Sequence, residues 1–333
     1  MLLPPGAGTP GGAGESWPEG DHKRGFAWVR QHLADIKPDV VFIPTARTIS
    51  CPGRPVVTMV RNMEPLLVPF QGNAPLECLK NLARYVSAWR ASRRASRVIA
   101  VSGHVRDFLV SRWRLPAGRV GVVYHGVEAP ASSEAIKCPT LVAGRAARPF
   151  LFTAGSVRPA RGLEDVIIAL ATARRENPQL ALYIGGTPTR DSLGYAGRMR
   201  RLAMEAGLDE AVVWLGHLGG PEMSWCFAHC AAFVMTSRAE ACPNILLEAM
   251  AHGCAIISTD CPPMPEFCGA SAVYYRGGDA GVLASRLDGM ADEPGGAREE
   301  RRRLARELAA RYSWEQTAQK TITELIHARR VTV

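Results

Sequence analysis

Two glutamates with seven residues between them, Glu240 and Glu248, carry the most specific chemistry in this 333-residue chain. They lie in the stretch 231–260, AAFVMTSRAEACPNILLEAMAHGCAIISTD, whose pattern divides into strand, loop, helix and strand. Residues 231–237 and 255–259 are short apolar runs of the kind buried on both faces of a parallel sheet. Between them Pro243 fits the first turn of a helix, where no N–H is needed, and Gly253 falls where a left-handed cap would end it. Glu240 therefore belongs to the loop and Glu248 to the helix, about 7 Å further along at a rise of ~1.5 Å per residue.

This placement suggests a ligand. The amides of Asn244, Ile245 and Leu246 are expected to be free at the helix start, where the macrodipole favours an anion. Two carboxylates beside an anion suit a ligand that also carries hydroxyls, because a carboxylate accepts from a ribose or sugar diol. A nucleotide diphosphate sugar combines all three features. The same residues also allow an amphipathic helix with two solvated acids.

The elements that must hold these residues form two alternating series. In the first, a helix over 26–36 precedes strands at PDVVFIPT, PVVTMV, RVIAVS and RVGVVY, with helices over 76–95 and GHVRDFLVSRW between them. In the second, strands PFLFTAG, LALYIGG and AVVWLG alternate with helices LEDVIIALATARRE and GRMRRLAMEAG before the 231–260 stretch. Such alternation predicts open parallel sheets with crossover helices, and ligands outside the carboxyl ends of the strands. In the second series those ends carry 155–162, 185–187, 216–217 and 237–244. Residues 128–149 have little periodicity and read as an interdomain linker, and 1–25, rich in Gly and Pro, as a flexible leader. The leader's GAGTPG fits the spacing GxGxxG, but no strand precedes it and Pro10 interrupts the helix that should follow.

Composition narrows the class. A hydrophobic fraction of 47% with 21% charged residues is that of a globular protein. No apolar run approaches the roughly 20 residues of a membrane span, and residues 1–21 lack the pattern of a secretion signal. The nine cysteines form no CxxC pair, and the expectation is reduced core thiols in a cytoplasmic protein. Cys226 and Cys230 share a helix face but have no companion ligands, which favours packing over a metal site. The net charge of +9 attracts anions without naming them. The run at 298–311 interleaves glutamates at helical spacing and reads as a solvated face. The run at 89–97 has no acids, and an anionic membrane surface is a candidate contact for it. Nucleic acid is not expected as a partner, because no basic sheet with interleaved aromatics and no reading helix is present.

The ordered motifs PDVVFIP, ASRVIAVS, VGVVYHGV, GSVRPARGLEDVI, VVWLGHL, SRAEACPNILLEAMAHGCAIISTD, PEFCG and YSWEQTA resemble those of retaining glycosyltransferases of family 4. The resemblance spans about residues 35–325 and is densest in the second half. It implies an α/β chain of the GT-B fold, with two Rossmann-like parallel-sheet domains facing a central cleft. The implied division is a leader over 1–25, an acceptor-side domain over 26–140, a nucleotide-sugar domain over 141–312, and a C-terminal helix over 313–333 returning to the first domain.

The resemblance also implies roles. Glu248 would bind the nucleotide ribose and Glu240 the transferred sugar, while Ala241, Cys242, Pro243, Asn244 and Ile245 form the turn against sugar and diphosphate. Arg161 matches the basic phosphate ligand. Ser156 stands after Gly155 where a second basic residue is customary, and Arg158 is the candidate substitute. Glu240, Arg161 and Arg158 are thus the expected catalytic residues. His217 matches the loop near the nucleobase, and Glu266 an acid near the donor that competes with a helix-start role. No cofactor, no metal and no protein nucleophile are expected, since no DxD motif occurs and front-face attack within an ion pair is ascribed to the family.

Departures concern the first domain. Family members usually begin with a strand and glycine-rich loop facing the acceptor, where this chain has about 25 unpatterned residues, so a shortened domain with an incomplete sheet edge is expected. The histidine many members carry after the second strand is absent. VRNM stands there, with Arg61 or Asn62 as replacements and His104 as a weaker one. The expected function is transfer of a sugar from a UDP or GDP sugar to a cell-envelope glycan or lipid-linked acceptor, in the cytoplasm at or near the inner membrane face. The alternative is a catalytically silent nucleotide-sugar-binding or scaffold protein. A sugar-nucleotide epimerase of the same fold fits the motif order less well.

Overall fold

The computed structural model describes residues 33, 35–68, 72–128, 130, 136–145, 148–291 and 293–330. The expected leader, 1–25, lies outside the described residues. Of the helix expected over 26–36, Leu33, Asp35 and Ile36 are described, and all three are helical.

The first sheet contains β1 (Val41–Ile43), β2 (Val56–Val60), β3 (Arg97–Ala100) and β4 (Val120–Val122) in that order, every neighbouring pair parallel. Helices α1 (Glu64–Leu67) and α2 (Pro75–Arg94) connect β2 to β3, each with a proline in its first turn, and α3 (Gly103–Ser111) connects β3 to β4. Ser102 caps α3 by accepting from the Val105 amide at 3.2 Å. Among the described residues this sheet therefore advances in one direction only, like half of a doubly wound sheet.

The second sheet has β5 (Phe150–Ala154), β6 (Ala181–Gly185), β7 (Val212–Gly216), β8 (Ala232–Met235), β9 (Ile256–Thr259) and β10 (Ala272–Tyr275). Its order is β10-β9-β8-β5-β6-β7, all parallel. This is the Rossmann order, and it reverses between β5 and β8, where a ligand crevice is expected. Every residue of β5, β6, β8 and β9 is buried, which is why these strands read as unbroken apolar runs.

The crossovers are α4 (Leu163–Ala173), α5 (Leu193–Glu205), α6 (Gly220–His229), α7 (Asn244–Ala251), α8 (Met264–Cys268), α9 (Ala280–Ala291) and α10 (Gly295–Ala309). Val166, Ile167 and Leu170 of α4 pack with Leu283 and Leu287 of α9 in one core layer. Trp225, Phe227, Leu246, Met250 and Ala305, from α6, α7 and α10, build the layer on the other face. The expected pair of Rossmann-like parallel-sheet domains is thus present. The last helix, α11 (Trp314–Arg330), crosses back to the first sheet, where Ala328 is fully buried and Glu324 accepts from Arg97 Nε at 2.5 Å.

Candidate functional site

At the reversal between β5 and β8 the chain leaves two neighbouring strands into two loops. The first begins with Gly155 at φ +128°, and a Cβ there would lie 2.8 Å from the Arg161 guanidinium, so the arginine lies directly over the glycine backbone. The loop turns through a short 3-10 segment, Pro159–Arg161, into α4. Arg161 then reaches across to the second loop, where Nη1 donates to Glu240 Oε1 at 2.6 Å and to Ser237 Oγ at 3.1 Å. The side chains of this ion pair are only 16% and 12% exposed. Gly155, Arg161 and Glu240 are therefore brought together as the sequence suggested, with half-buried Ser156 beside them.

The second loop is held by a carboxylate that the sequence analysis did not single out. Asp165, in the first turn of α4, accepts from both Nη atoms of Arg238 at 2.6 Å, from the Tyr275 hydroxyl at 3.0 Å and from the Gly278 amide at 3.0 Å. The Arg238 amide donates to Ala160 O at 2.8 Å, and Thr236 Oγ1 to Arg161 O at 2.5 Å. The loops carrying Arg161 and Glu240 are thus locked to each other through a buried bidentate pair.

Arg158 points into the interdomain cleft. Its Nη1 lies 2.6 Å from Oε2 of Glu64, the first residue of α1 in the other domain, which is 8% exposed. Burial raises the Glu64 carboxyl above its ordinary value, while Arg158 and Arg161 pull it down and Glu240 pushes it up. Glu64 thus faces two arginines and a second carboxylate from across the cleft. Its only sequence signal is an acid one residue after VRNM, and the pairing is tertiary. The Nε atoms of Arg158 and Arg161 are both buried and have no acceptor among the described residues. Buried guanidinium donors without acceptors are costly, and oxygens of an anion would satisfy them.

Helix α7 corrects one expectation. The Asn244 amide donates to Cys242 O at 3.0 Å and the Leu246 amide to Pro243 O at 2.9 Å, so of the three amides expected to be free, only that of Ile245 has no acceptor among the described residues. The cause is the tight entry. Pro243 stands one residue before the helix, and its carbonyl also takes the Leu247 amide. The helix ends as expected, with Gly253 at φ +67° and the Gly253 and Cys254 amides returning to Met250 O and Ala249 O. Ala241 is 3% exposed and packs in the core of the first domain, with Cys242 partly buried against it. Burial raises the Cys242 thiol to about 12. Only the backbones of these two residues suit ligand contact.

Asn244, Glu248 and His252 line one face of α7, beside a recess of about 570 Å3 that also takes in Ser224, Glu128 and Trp314. Burial, then the charge of Glu128, raises the Glu248 carboxyl. Asn244 Oδ1 lies 3.2 Å from His125 Nδ1, a first-domain contact that the sequence analysis missed. His217 is exposed at the end of β7, and no contact joins it to the Arg161 cluster among the described residues.

Glu266 serves a different helix from its own. Its Oε1 accepts from the Gly103 amide at 2.7 Å and the Tyr124 hydroxyl at 2.8 Å, and its Oε2 from the His104 amide at 2.9 Å. It therefore caps α3 across the domain boundary, and His104 is the second residue of that helix. Lys80 and Asp191, 2.8 Å apart, make a further bridge. All nine cysteines are free thiols. Among the described residues no helix is long and apolar enough to cross a membrane.

Residues 148–293 match the family described as glycosyl transferases group 1, and residues 13–129 match glycosyltransferase family 4. The chain is 25% identical over 249 residues to a D-inositol 3-phosphate glycosyltransferase of Streptomyces avermitilis, covering 72% of this chain and 53% of the relative. It is 24% identical to a glycogen synthase of Mycobacterium tuberculosis, covering 74% and 57%. The chain thus spans about half the length of the curated relatives it matches. Among solved structures, HepE of Anabaena in complex with UDP-glucose superposes with a TM-score of 0.75 at 20% identity, covering 93% of this chain and 85% of that one. Sucrose-phosphate synthase of Thermosynechococcus elongatus superposes with a TM-score of 0.71 at 18% identity, covering 90% and 75%. The two facing parallel-sheet domains and these likenesses make the fold GT-B.

Proposed function

The chain belongs to glycosyltransferase family 4, and from that premise we propose that it transfers a sugar, with retention, from a nucleotide diphosphate sugar bound at the β5–β8 reversal. The observation that carries the reading is the pair of buried Nε donors on Arg158 and Arg161 that have no acceptor among the described residues, with the Arg161 guanidinium lying over the Gly155 backbone. Departure of a nucleoside diphosphate builds negative charge on its bridging oxygen. Two preorganised guanidinium groups in a half-buried cleft stabilise that charge without reorganising. They supply cationic stabilisation from the protein itself, which supports a metal-independent reaction.

Glu240 is placed to accept from a hydroxyl of the transferred sugar while its other contact anchors Arg161. Glu248, one turn into α7, is assigned the ribose diol, and His217 the edge of the base. The backbone from Ala241 to Ile245 and that of Gly155 and Ser156 border the diphosphate and sugar. The acceptor, a glycan or lipid-linked precursor, enters from the first-domain side of the cleft, where Glu64 faces Arg158 and where Arg61 or Asn62 stands in for the missing histidine toward the donor sugar. Retention by front-face attack needs no protein nucleophile, and none is assigned. We assign the acceptor side to residues 26–140, the donor side to 141–312 and the return helix to 313–333, an assignment supported by the contact of Glu324 with Arg97. The cytoplasm, at the inner membrane face, is the location that suits a nucleotide sugar and a lipid-linked acceptor.

A thermal-shift screen of UDP, GDP and their sugars tests the donor site. One nucleotide family should raise the melting temperature, and Arg161→Ala and Glu248→Ala should abolish the shift. Absence of any shift in the wild type refutes the reading. Product analysis then separates transfer from silent binding: donor protection with neither transfer nor hydrolysis, for every acceptor supplied, establishes the silent alternative. Transfer that survives EDTA supports metal independence.

A further inference from the structure

Four charged side chains meet where the two domains face each other. Arg158 and Arg161 stand on the loop after β5, Glu240 on the loop after β8, and Glu64 at the start of α1 in the first domain. They pair as Arg158 with Glu64 and Arg161 with Glu240, each at 2.6 Å, so the two positive and two negative charges cancel. Arg84 is the next cation to reach Glu64, and its charge is already shared with Glu77 and with Asn81 Oδ1, 2.7 Å away. With the Arg158 and Glu64 side chains only 30% and 11% exposed, salt and water screen this balance weakly.

A diphosphate brought to the same crevice upsets that balance. The donor of the proposed reaction carries two ionised phosphates and draws on Arg158, whose Nη1 is held by Glu64. Carboxylate and phosphate oxygens thus need one guanidinium and repel each other. Glu64 has little freedom to withdraw. Its amide donates to Asn62 Oδ1 at 3.1 Å, and Pro65 and Leu66, which follow it, are buried in the first domain. The domains are further tied by Lys80 and Asp191 at 2.8 Å and by Arg198 Nη2, which donates to Gly72 O at 3.1 Å. A carboxylate that keeps its place beside a diphosphate in a site short of water is neutralised by a proton. Burial already raises the Glu64 carboxyl above its ordinary value, with Glu240 adding to the rise and Arg158, Arg161 and Arg84 opposing it.

We propose that Glu64 and the donor diphosphate compete for Arg158, so that Glu64 takes up a proton when the donor binds and gives it back when the nucleoside diphosphate leaves. Glu64 is then a positioning residue, acting through Arg158 rather than on the sugar. Linkage is reciprocal: a proton recruited by the donor tightens donor binding by the same factor. Donor affinity therefore falls as pH rises through the titration of Glu64, and levels off where Glu64 is ionised with and without donor. The inference rests on the donor reading of the crevice for the diphosphate, and on the geometry of Glu64 and Arg158 for the proton.

The test is calorimetric titration of the full chain with the sugar nucleotides of the thermal-shift screen, UDP-glucose and GDP-mannose among them. Runs between about pH 5.5 and 8, in paired buffers of different ionisation enthalpy, count the protons taken up per ligand bound. The diphosphate diester of a sugar nucleotide does not titrate in that range, so the protons counted belong to the protein. A ligand that binds should bring at least about half a proton at the pH of greatest uptake, and Glu64→Gln should remove that uptake. The affinities of wild type and variant should converge as pH falls, and at about pH 8 the variant should bind about tenfold more tightly. Donor binding without proton uptake overturns the proposal. So does uptake that persists in Glu64→Gln, or weaker binding by that variant at the upper end of the range. Glu64→Ala removes the same carboxylate and repeats the measurement should the glutamine variant not fold. Binding of none of the sugar nucleotides refutes the donor reading itself, and the competition for Arg158 falls with it.

Discussion

Replacing Asp165 by alanine removes the acceptor on which the loop bearing Glu240 depends. Its side chain is 4% exposed and that of Arg238 is 13% exposed, so the variant leaves a guanidinium in a site from which water is largely excluded. The Tyr275 hydroxyl and the Gly278 amide lose their acceptor as well. Breaking a buried pair from one side costs about 3–5 kcal/mol, so ~4 kcal/mol is expected for Asp165→Ala. At about 2–4 °C per kcal/mol for a domain of this size, the melting temperature should fall by about 8–16 °C. Urea denaturation of Asp165→Ala, Arg238→Ala and the double variant measures the coupling. Because each single change strands the same partner, the double variant should cost well under the sum, with a coupling of about 2–3 kcal/mol. Nucleotide affinity should weaken in parallel, since Arg238 fixes the loop that presents Glu240 to Arg161. Additive single effects, or a loss below about 1 kcal/mol for Asp165→Ala, would refute the reasoning.

Three further outcomes follow from the contacts between domains. Glu266→Ala should cost about 1–2 kcal/mol by uncapping α3, visible as faster hydrogen exchange at the Gly103 and His104 amides, while UDP affinity stays within about twofold. Loss of nucleotide binding instead would return Glu266 to the donor site. Glu64 has its folded-state value raised above the ordinary 4.5, so the folded protein holds this proton more tightly than the unfolded chain. Its contribution to stability must therefore fall as pH rises from about 4.5 through the raised value, and the stability difference between wild type and Glu64→Gln should change in that window and be flat above it. A difference independent of pH would show the carboxylate to be unperturbed. Glu324→Ala should release α11 from Arg97, a pair with side chains 12% and 13% exposed, costing about 3 kcal/mol and exposing the chain beyond residue 312 to protease. Unchanged proteolysis would assign the docking of α11 to its apolar contacts alone.

Much of the fold was legible because parallel strands buried on both faces leave unbroken apolar runs. β5, β6, β8 and β9 all read this way, and prolines and glycines marked the helix ends. β10 and α1 were not marked: β10 is only half-buried at its centre, so it leaves no unbroken apolar run, and α1 is a single turn, too short for a period to show. In the site, Glu240 and Arg161 could be named from their neighbours in the chain, because each sits in a strand-end loop with its own local motif. Glu64, Asp165 and His125 could not, since an acid in the first turn of a helix, or a histidine in the chain beyond a strand, is ordinary until its partner is known.

The sequence by itself determined the alternating elements, the two-domain class and which loops would meet, since these depend on period, turn chemistry and the fixed handedness of crossovers. Only the tertiary structure decided what each charged group does there. It turned Glu266 into a cap for a helix of the other domain, and closed the Asn244 and Leu246 amides on their own entry turn. Among the described residues it left the Nε donors of Arg158 and Arg161 without acceptors. The reason is physical: backbone preference is local, whereas the partner of a buried charge is set by what packs against it across 79 residues of chain for Arg161 and Glu240, and across the domain boundary for Arg158 and Glu64.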